Sequence, residues 1–430
     1  MKNPLRVLII TYYWPPAGGP GVQRWLKFVK YLREFDVEPV VFVPENPHYP
    51  LIDYSFESET PKGIEVIKHP IKEPYRFAKL LSKKKTQTIS SGIISNKKQS
   101  VLEKFLLWVR GNYFIPDARV GWVKPSVEFL KKYILDNPVE VVITSGPPHS
   151  LHLIGMELKN ETGIPWLTDF RDPWTSIGYH KKLRLSKRSQ TKHKQFEFNV
   201  LTNCDAVIVT SPSTKRQFEN ITKKPITVIT NGFDVALTSA EQLDDDFTIS
   251  HIGSLLSERN PKILWKVLSE MVEENEDFAS KFKLQLAGTV SDEVVASIES
   301  FGLKNHLKKF GYVSHIESVD LQKKSQVLLL IEIDSKETQA IIPGKLFEYM
   351  ASGRPILALG PKDSDVEPLI NSTQTGTFFD YSQEKEIKKK IYSWFELYKN
   401  KKLVIHSQGI EAFSRKNLTK KLVEVLHELR

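Results

Sequence analysis

The chain has 430 residues, 40% of them hydrophobic and 26% charged, with a formal net charge of +10 and a single cysteine, Cys204. Such a length and composition describe a globular protein of two or three domains and exclude global disorder. One cysteine excludes an intramolecular disulfide framework, and with no Cys/His ligand cluster a structural zinc site is not expected. There is neither an apolar leader-like segment in residues 1–43 nor an uncharged apolar run of about 18 residues, so the protein is expected in the cytoplasm.

Read in chain order, Arg6–Thr11 predicts a buried strand. It is followed by the loop Pro15-Pro16-Ala17-Gly18-Gly19-Pro20-Gly21 and by an amphipathic stretch with Val22, Trp25, Leu26, Val29 and Leu32 at helical spacing. Strand, glycine loop and helix in that order let the backbone at Gly19 and Gly21 approach an anion closely. The spacing is not that of the dinucleotide fingerprint, and no acidic residue ends the next strand, Pro39–Val43.

Between Lys68 and Arg110 stand eleven Lys/Arg against Glu73 and Glu103, and from Pro173 to Phe196 seven Lys/Arg and no acid. Blocks of this kind suit nucleic acid, an anionic membrane surface or acidic ligands. Nucleic acid is set aside, because no zinc-finger spacing, ribonucleoprotein-type strand or recognition helix accompanies them. Residues Phe77, Leu80, Leu81, Leu102, Phe105, Leu106, Trp108 and Val109 punctuate the first block, as in a helix lying on a membrane, although a solvated loop beside a core helix fits the same letters.

Further strands are predicted at Val139–Thr144, Pro165–Phe170, Ala206–Ser211 and Ile226–Thr230. His149 lies just past the first of these, in Ser145-Gly146-Pro147-Pro148-His149-Ser150, where an imidazole can bond a substrate hydroxyl or shuttle a proton, or simply cap the next helix. Asp169, Arg171 and Asp172 end another strand in TDFRDPW. They are candidates for the cleft, with an Asp–Arg pair that merely fastens the loop as the alternative.

After Asp244-Asp245-Asp246 a second series begins, with strands at Phe247–Ile252, Lys283–Ala287, Leu307–Tyr312, Gln326–Ile333, Pro355–Leu359 and Gly376–Phe379 and helices such as Lys262–Glu274 and Asp292–Phe301. Alternation of this kind implies two α/β, Rossmann-like doubly wound domains with a boundary near Asn231-Gly232-Phe233-Asp234. A backbone N–H near Gly253 and the guanidinium of Arg259 can jointly hold a diphosphate. In IIPGKLFEYMASGRPILALG a Pro343-Gly344 turn opens a helix, which offers unpaired N–H groups to a phosphate; Lys345 adds a mobile cation and Glu348 can accept two hydroxyl hydrogen bonds. An ordinary βα unit with solvated Lys345 and Glu348 would carry the same letters.

Together YYWPPAGGPGVQR, TSGPPHS, TDFRDPW, ITNGFD, HIGSLLSERNP and IPGKLFEYMASGRPILALG resemble, in order and over nearly the whole chain, the family 4 glycosyltransferases with GT-B architecture, particularly the bacterial surface-polysaccharide branch. The resemblance implies two facing Rossmann-like domains. Residues 1–234, completed by a terminal helix at about 413–430, would bind the acceptor, and residues 235–412 the nucleotide-diphosphate sugar. It implies a retaining transfer to a glycan or lipid-linked acceptor, with no cofactor besides the nucleotide sugar as co-substrate. By resemblance Gly19 and Gly21 line the acceptor side near the donor phosphates, His149 touches the donor sugar, Arg259 and Lys345 grip the diphosphate and Glu348 binds the ribose; the backbone at Gly253 and Gly344, read from the strand end and the helix start, is expected on the donor side too.

One departure stands out. The family's first glutamate, seven residues before Glu348 in many members, would fall at Ala340; Glu337 substitutes only if the loop shifts. The acidic strings Asp244–Asp246 and Asp363-Ser364-Asp365 read as a solvated linker and a helix start, so no metal is expected. A nucleotide-sugar epimerase on the same scaffold and a catalytically inactive nucleotide-binding subunit remain the alternatives.

Overall fold

A computed structural model describes residues 4–73, 101–176, 180, 183–234 and 242–430. The chain divides into two compact units, Met1–Asn231 with Arg415–Arg430, and Gly232–Ser414. In the first, β1 (Leu5–Ile10), β2 (Val37–Pro44), β3 (Glu65–His69), β4 (Val141–Gly146), β5 (Trp166–Phe170), β6 (Ala206–Val209) and β7 (Ile226–Val228) form a sheet in the order β3-β2-β1-β4-β5-β6-β7. In the second, β8 (Phe247–Ile252), β9 (Phe282–Ala287), β10 (Leu307–Gly311), β11 (Val327–Ile331), β12 (Ile356–Gly360) and β13 (Gly376–Asp380) follow β10-β9-β8-β11-β12-β13. Every described pairing between these strands is parallel.

Helices cover both faces of each sheet, which is why strands such as β11 (VLLLI) read as unbroken apolar runs. The predicted strands all form, with ends shifted by a residue or a few. The sequence reading missed β3, because EVIKH is an edge strand with exposed charges and no buried residue, so its apolar alternation is weak. Strand order reverses between β1 and β4 in the first sheet and between β8 and β11 in the second. Ligands of doubly wound sheets bind beyond the carboxyl ends of strands at these reversals.

The C-terminal helix Arg415–Glu428 packs into the first unit. Its Leu418, Leu422, Val423, Val425 and Leu426 bury against Trp25, Leu26, Val29 and Leu32 of the helix Pro20–Leu32. Each such side chain contributes about 1.5–3 kcal/mol on burial, so this helix belongs to the core of the first unit although the chain reaches it last.

One expectation needs correction. Asp244 is not part of a solvated linker: it is half-buried, its carboxylate accepts from Gln285 Nε2 (3.3 Å) and its carbonyl from Gln326 Nε2 (2.7 Å), which fastens the start of β8. Of the basic block, residues 76–98 lie outside the described residues. The helix that follows, Val101–Tyr113, exposes Phe105, Trp108 and Tyr113.

Candidate functional site

At the carboxyl end of β1, Gly19 adopts a positive φ of 87° and precedes the helix that opens with Pro20. Two residues on, the missing side chain of Gly21 makes room for Arg171, since an added Cβ would lie 2.8 Å from Arg171 Nη1 and 3.1 Å from the Tyr13 ring. The Arg171 guanidinium sits over Tyr13 (5.4 Å to the ring centre) and donates to the carbonyl of Pro147, while its backbone N–H donates to Gly146 O (2.9 Å). Gly21, Arg171 and the loop carrying His149 are therefore one constellation, drawn from the ends of β1, β4 and β5.

Asp169 does not belong to its open side. The carboxylate has no exposed surface and accepts from Arg24 Nε (3.1 Å) and Nη2 (2.9 Å), Trp25 Nε1 (2.8 Å) and Ser145 Oγ (2.8 Å). Arg24 spends a further N–H on Thr230 O at 3.0 Å. A buried carboxylate met by a bidentate guanidinium, an indole and a hydroxyl is satisfied, so Asp169 fastens β5 to the first helix and has no capacity left for a ligand. Asp172, by contrast, is half-buried; burial pushes its carboxyl up, Arg171 opposes this, and Asp169 adds to it.

His149 starts the helix Ser150–Thr162 and is only 4% exposed. Its ring stacks flat on Trp174, with centroids 4.6 Å apart and planes at 5°, and neither ring nitrogen has a hydrogen-bond partner. Burial, reinforced by nearby His152 and Arg171, holds its pKa well below the ordinary imidazole value. His149 is thus neutral at physiological pH, with one donor and one acceptor for a ligand hydroxyl.

In the second unit Gly253 follows β8 with φ of 127°, and a Cβ there would lie 2.5 Å from Lys345 Nζ. Lys345 is in the first turn of the helix Gly344–Ala351, which Tyr349 ties to the end of β8: its hydroxyl accepts from Ile252 N (2.9 Å) and donates to Ile252 O (3.2 Å). Lys345 is not the mobile cation expected from the sequence. Its amine lies 3.4 Å from His251 Nε2 in a half-buried position, and burial, with the neighbouring Arg259 guanidinium, lowers its pKa to about 7 against the opposing pull of Glu348. Arg259 ends the short turn Ser257–Arg259, and its buried Nε has no hydrogen-bond partner. Among the described residues neither cation has an ion pair. A guanidinium and a poised amine beside a glycine bend at a helix N-terminus can together hold a bound anion.

Gly344 is the first residue of that helix, and Glu348 stands one turn further on, where Gln322 Nε2 donates to its Oε2 at 3.2 Å. The predicted residues Gly253, Arg259, Gly344, Lys345 and Glu348 thus lie together. Reasoning from sequence missed three polar residues around them. His251 and Glu332 were absorbed into predicted strands, although a histidine and a glutamate in otherwise apolar strands were visible signals, and Gln322 was one polar helix residue among several. Glu332 is 4% exposed at the end of β11, accepts from Ser364 Oγ at 2.8 Å and has its carboxyl pushed up to about 8 by burial, against the pull of Ser364 and Arg259. Glu337, the suggested replacement for the glutamate absent at Ala340, lies in the turn Lys336–Thr338.

Among the described residues no three His, Cys, Asp or Glu side chains converge as a metal site would need. None of the described helices is long and apolar enough to cross a membrane.

No curated protein matches the chain by sequence. Solved structures do match. They include the Anabaena protein HepE in complex with UDP-glucose (15% identity, 99% of this chain and 100% of that one, TM-score 0.62). Sucrose-phosphate synthase from Thermosynechococcus elongatus (14%, 99% and 99%, 0.60) and the lipopolysaccharide outer core galactosyltransferase WaaB (13%, 99% and 99%, 0.59) are also similar. At such identities the likeness establishes the GT-B fold. The family comes from two models that match consecutive stretches, Glycosyltransferase Family 4 over residues 93–237 and Glycosyl transferases group 1 over residues 238–413. With both models matching end to end on a GT-B fold, the chain belongs to the family 4 type of glycosyltransferases.

Proposed function

We propose that the protein is a retaining hexosyltransferase that moves a sugar from a nucleotide-diphosphate sugar to a glycan or lipid-linked acceptor in cell-surface polysaccharide synthesis. The observation that carries this reading is the unpaired Lys345 and Arg259 beside Gly253 in the second unit. Departure of a nucleoside diphosphate concentrates negative charge on the β-phosphate, and fixed cations in a half-dry pocket stabilise that charge more in the transition state than in the ground state. Glu348, oriented by Gln322, suits the two ribose hydroxyls. The second unit is the donor domain in this reading and the first the acceptor domain. Gly19, Gly21, Arg171 and Asp172 are on its ligand side, where the neutral ring of His149 meets a hydroxyl.

Support for the donor class comes from HepE, whose structure contains UDP-glucose, and support for the surface-glycan role from WaaB. The cationic pair does the work that a metal would do, so no metal is needed and turnover should persist in excess chelator. Loss of turnover that magnesium or manganese restores would refute metal independence. A panel of nucleotide sugars screened by thermal shift identifies the donor, because a ligand of the folded state raises the melting temperature. Incubation with the donor alone separates transfer from the rival activity: an isomerised sugar indicates an epimerase. Binding without turnover under any acceptor would indicate an inactive subunit.

The proposed place of action is the inner face of the cell membrane. Exposed Phe105, Trp108 and Tyr113 on a helix that also carries Arg110, next to the basic block, support peripheral attachment to anionic lipid. Binding to anionic vesicles should weaken as salt rises and after Lys83, Lys84 and Lys85 are replaced by Glu; no association at low salt would refute the attachment.

A further inference from the structure

We propose that His251 is a positioning residue for Lys345, holding its amine over Gly253 as a neutral acceptor, and that the amine takes up a proton from solvent when the donor's diphosphate arrives. The inference rests on the nucleotide-sugar reading above and assigns the second unit a proton-linked grip.

The geometry comes first. His251 Nδ1 lies 2.9 Å from Leu329 O, and a carbonyl only accepts, so Nδ1 carries the ring proton and Nε2 presents a lone pair. Lys345 Nζ, 3.4 Å away, is the only side-chain donor described on that lone pair. The ring has no exposed surface and is held by the backbone of Leu329 and Ser254, so it fixes where the amine points. Gly253 completes the arrangement, because any side chain there would occupy the space of Nζ.

Next come the charges. Lys345 is faced by His251 from β8, Arg259 from the turn Ser257–Arg259 and Glu348 from its own helix; His251 is faced by Lys345 and Arg259. Beyond Arg259 lie Glu332 at the end of β11, protonated up to about pH 8, and Tyr381. The pocket without ligand therefore holds one permanent cation, Arg259, and an amine that burial and Arg259 together bring to about pH 7. A diphosphate reverses the balance, since two negative charges beside the amine favour its ammonium form. Above pH 7 each binding event then carries a proton from solvent to Lys345 Nζ. By linkage, affinity falls with rising pH, by up to about tenfold per unit, until the pKa of the bound state is reached.

The experiment is calorimetric titration of the full chain with UDP, GDP and ADP at pH 7.0, 8.0 and 9.0, in buffers of differing ionisation heat. At pH 8.0 and 9.0 the terminal phosphates are almost wholly ionised, and the comparison with Lys345→Met, made for each nucleotide, assigns the linked proton to Lys345 rather than to the ligand or to Glu332. For whichever nucleotide binds, we expect uptake of nearly one proton at pH 8.0 to 9.0 and a dissociation constant that rises about tenfold per unit. Lys345→Met should bind weakly with no uptake. His251→Phe should move the onset of weakening to lower pH, and His251→Gln, which returns an acceptor near the Nε2 position, should restore it. Should His251→Phe fail to fold, the wild type and Lys345→Met decide alone. Binding without linked proton uptake, or uptake unchanged in Lys345→Met, overturns the inference and leaves the donor reading standing. Binding of none of the three nucleotides at any pH overturns both.

Discussion

Both sheets place charge near the carboxyl ends of their strands, Asp169 in the last pairs of β5 and Lys345 and Arg259 in segments that follow strands, and treat it in opposite ways. In the first unit Asp169 is met by Arg24, Trp25 and Ser145 and is sealed from solvent. In the second, Lys345 and Arg259 stand together with a neutral histidine for company, Glu348 beside Lys345 is engaged by Gln322, and Glu332 beside Arg259 has its carboxyl pushed up by burial. A satisfied buried pair holds the fold together, whereas an amine that must give up its proton beside a guanidinium costs stability and persists where a ligand completes it. Charge at a strand end is therefore an ambiguous sign in a sequence, and the set of partners decides its meaning.

The comparison can be broken most directly through Asp169. Replacing it by Ala leaves Arg24 buried without its counter-ion, which should destabilise the first unit by about 3–5 kcal/mol. Hydrogen exchange along β5 and the helix Pro20–Leu32 would report it, and unchanged protection would show that the pair is not a fastening. In the second unit the expected loss is of rate. Lys345→Ala should lower kcat by about 10²–10³-fold, the usual loss on removing one preorganised stabiliser of transition-state charge, while the donor KM changes less. A KM effect larger than the kcat effect would make Lys345 a ground-state binding residue.

Smaller effects sharpen the contrast. Glu348→Gln should raise the donor KM by about 1.5–3 kcal/mol, the contribution of a hydrogen bond to a charged group, with kcat nearly intact. Gln322→Leu should act in the same direction by about 0.5–1.5 kcal/mol, because it releases the carboxylate without removing it. If Glu348→Gln abolished turnover and spared donor affinity, the glutamate would belong to the chemistry.

A further expected change, of similar size, is one of stability, and it is a gain. Lys345 titrates near pH 7 in the folded protein and near 10.4 when unfolded. The unfolded chain thus binds more protons between those values, and wild-type stability rises with pH across that window. Lys345→Met should stabilise the second unit by about 0.5–2 kcal/mol at pH 7, with the advantage shrinking towards pH 10. Thermal melts at both pH values check the sign.

Much of the fold was legible before any coordinates. Buried parallel strands must be apolar on both faces, so β1, β8, β11 and β12 announce themselves, and the alternation with amphipathic helices implies doubly wound sheets. The edge strand β3 was not legible, because two of its five residues, Glu65 and Lys68, face water and carry charge and none is buried. At the site, Gly253, Arg259, Gly344, Lys345 and Glu348 could be named from strand-end spacing, since loops after parallel strands are where backbone and charge are available to ligands.

By itself the sequence determined the two α/β domains, the strand-end motifs and their family. Tertiary structure alone decided which charges are spent. Whether a carboxylate such as Asp169 faces a ligand depends on Arg24, 145 positions away in the chain. Whether Lys345 is a mobile cation or a poised amine depends on His251, 94 positions away. Local spacing encodes where a side chain can point, but its protonation and freedom follow from burial and from partners brought in by the fold, and those distances in sequence carry no local signal.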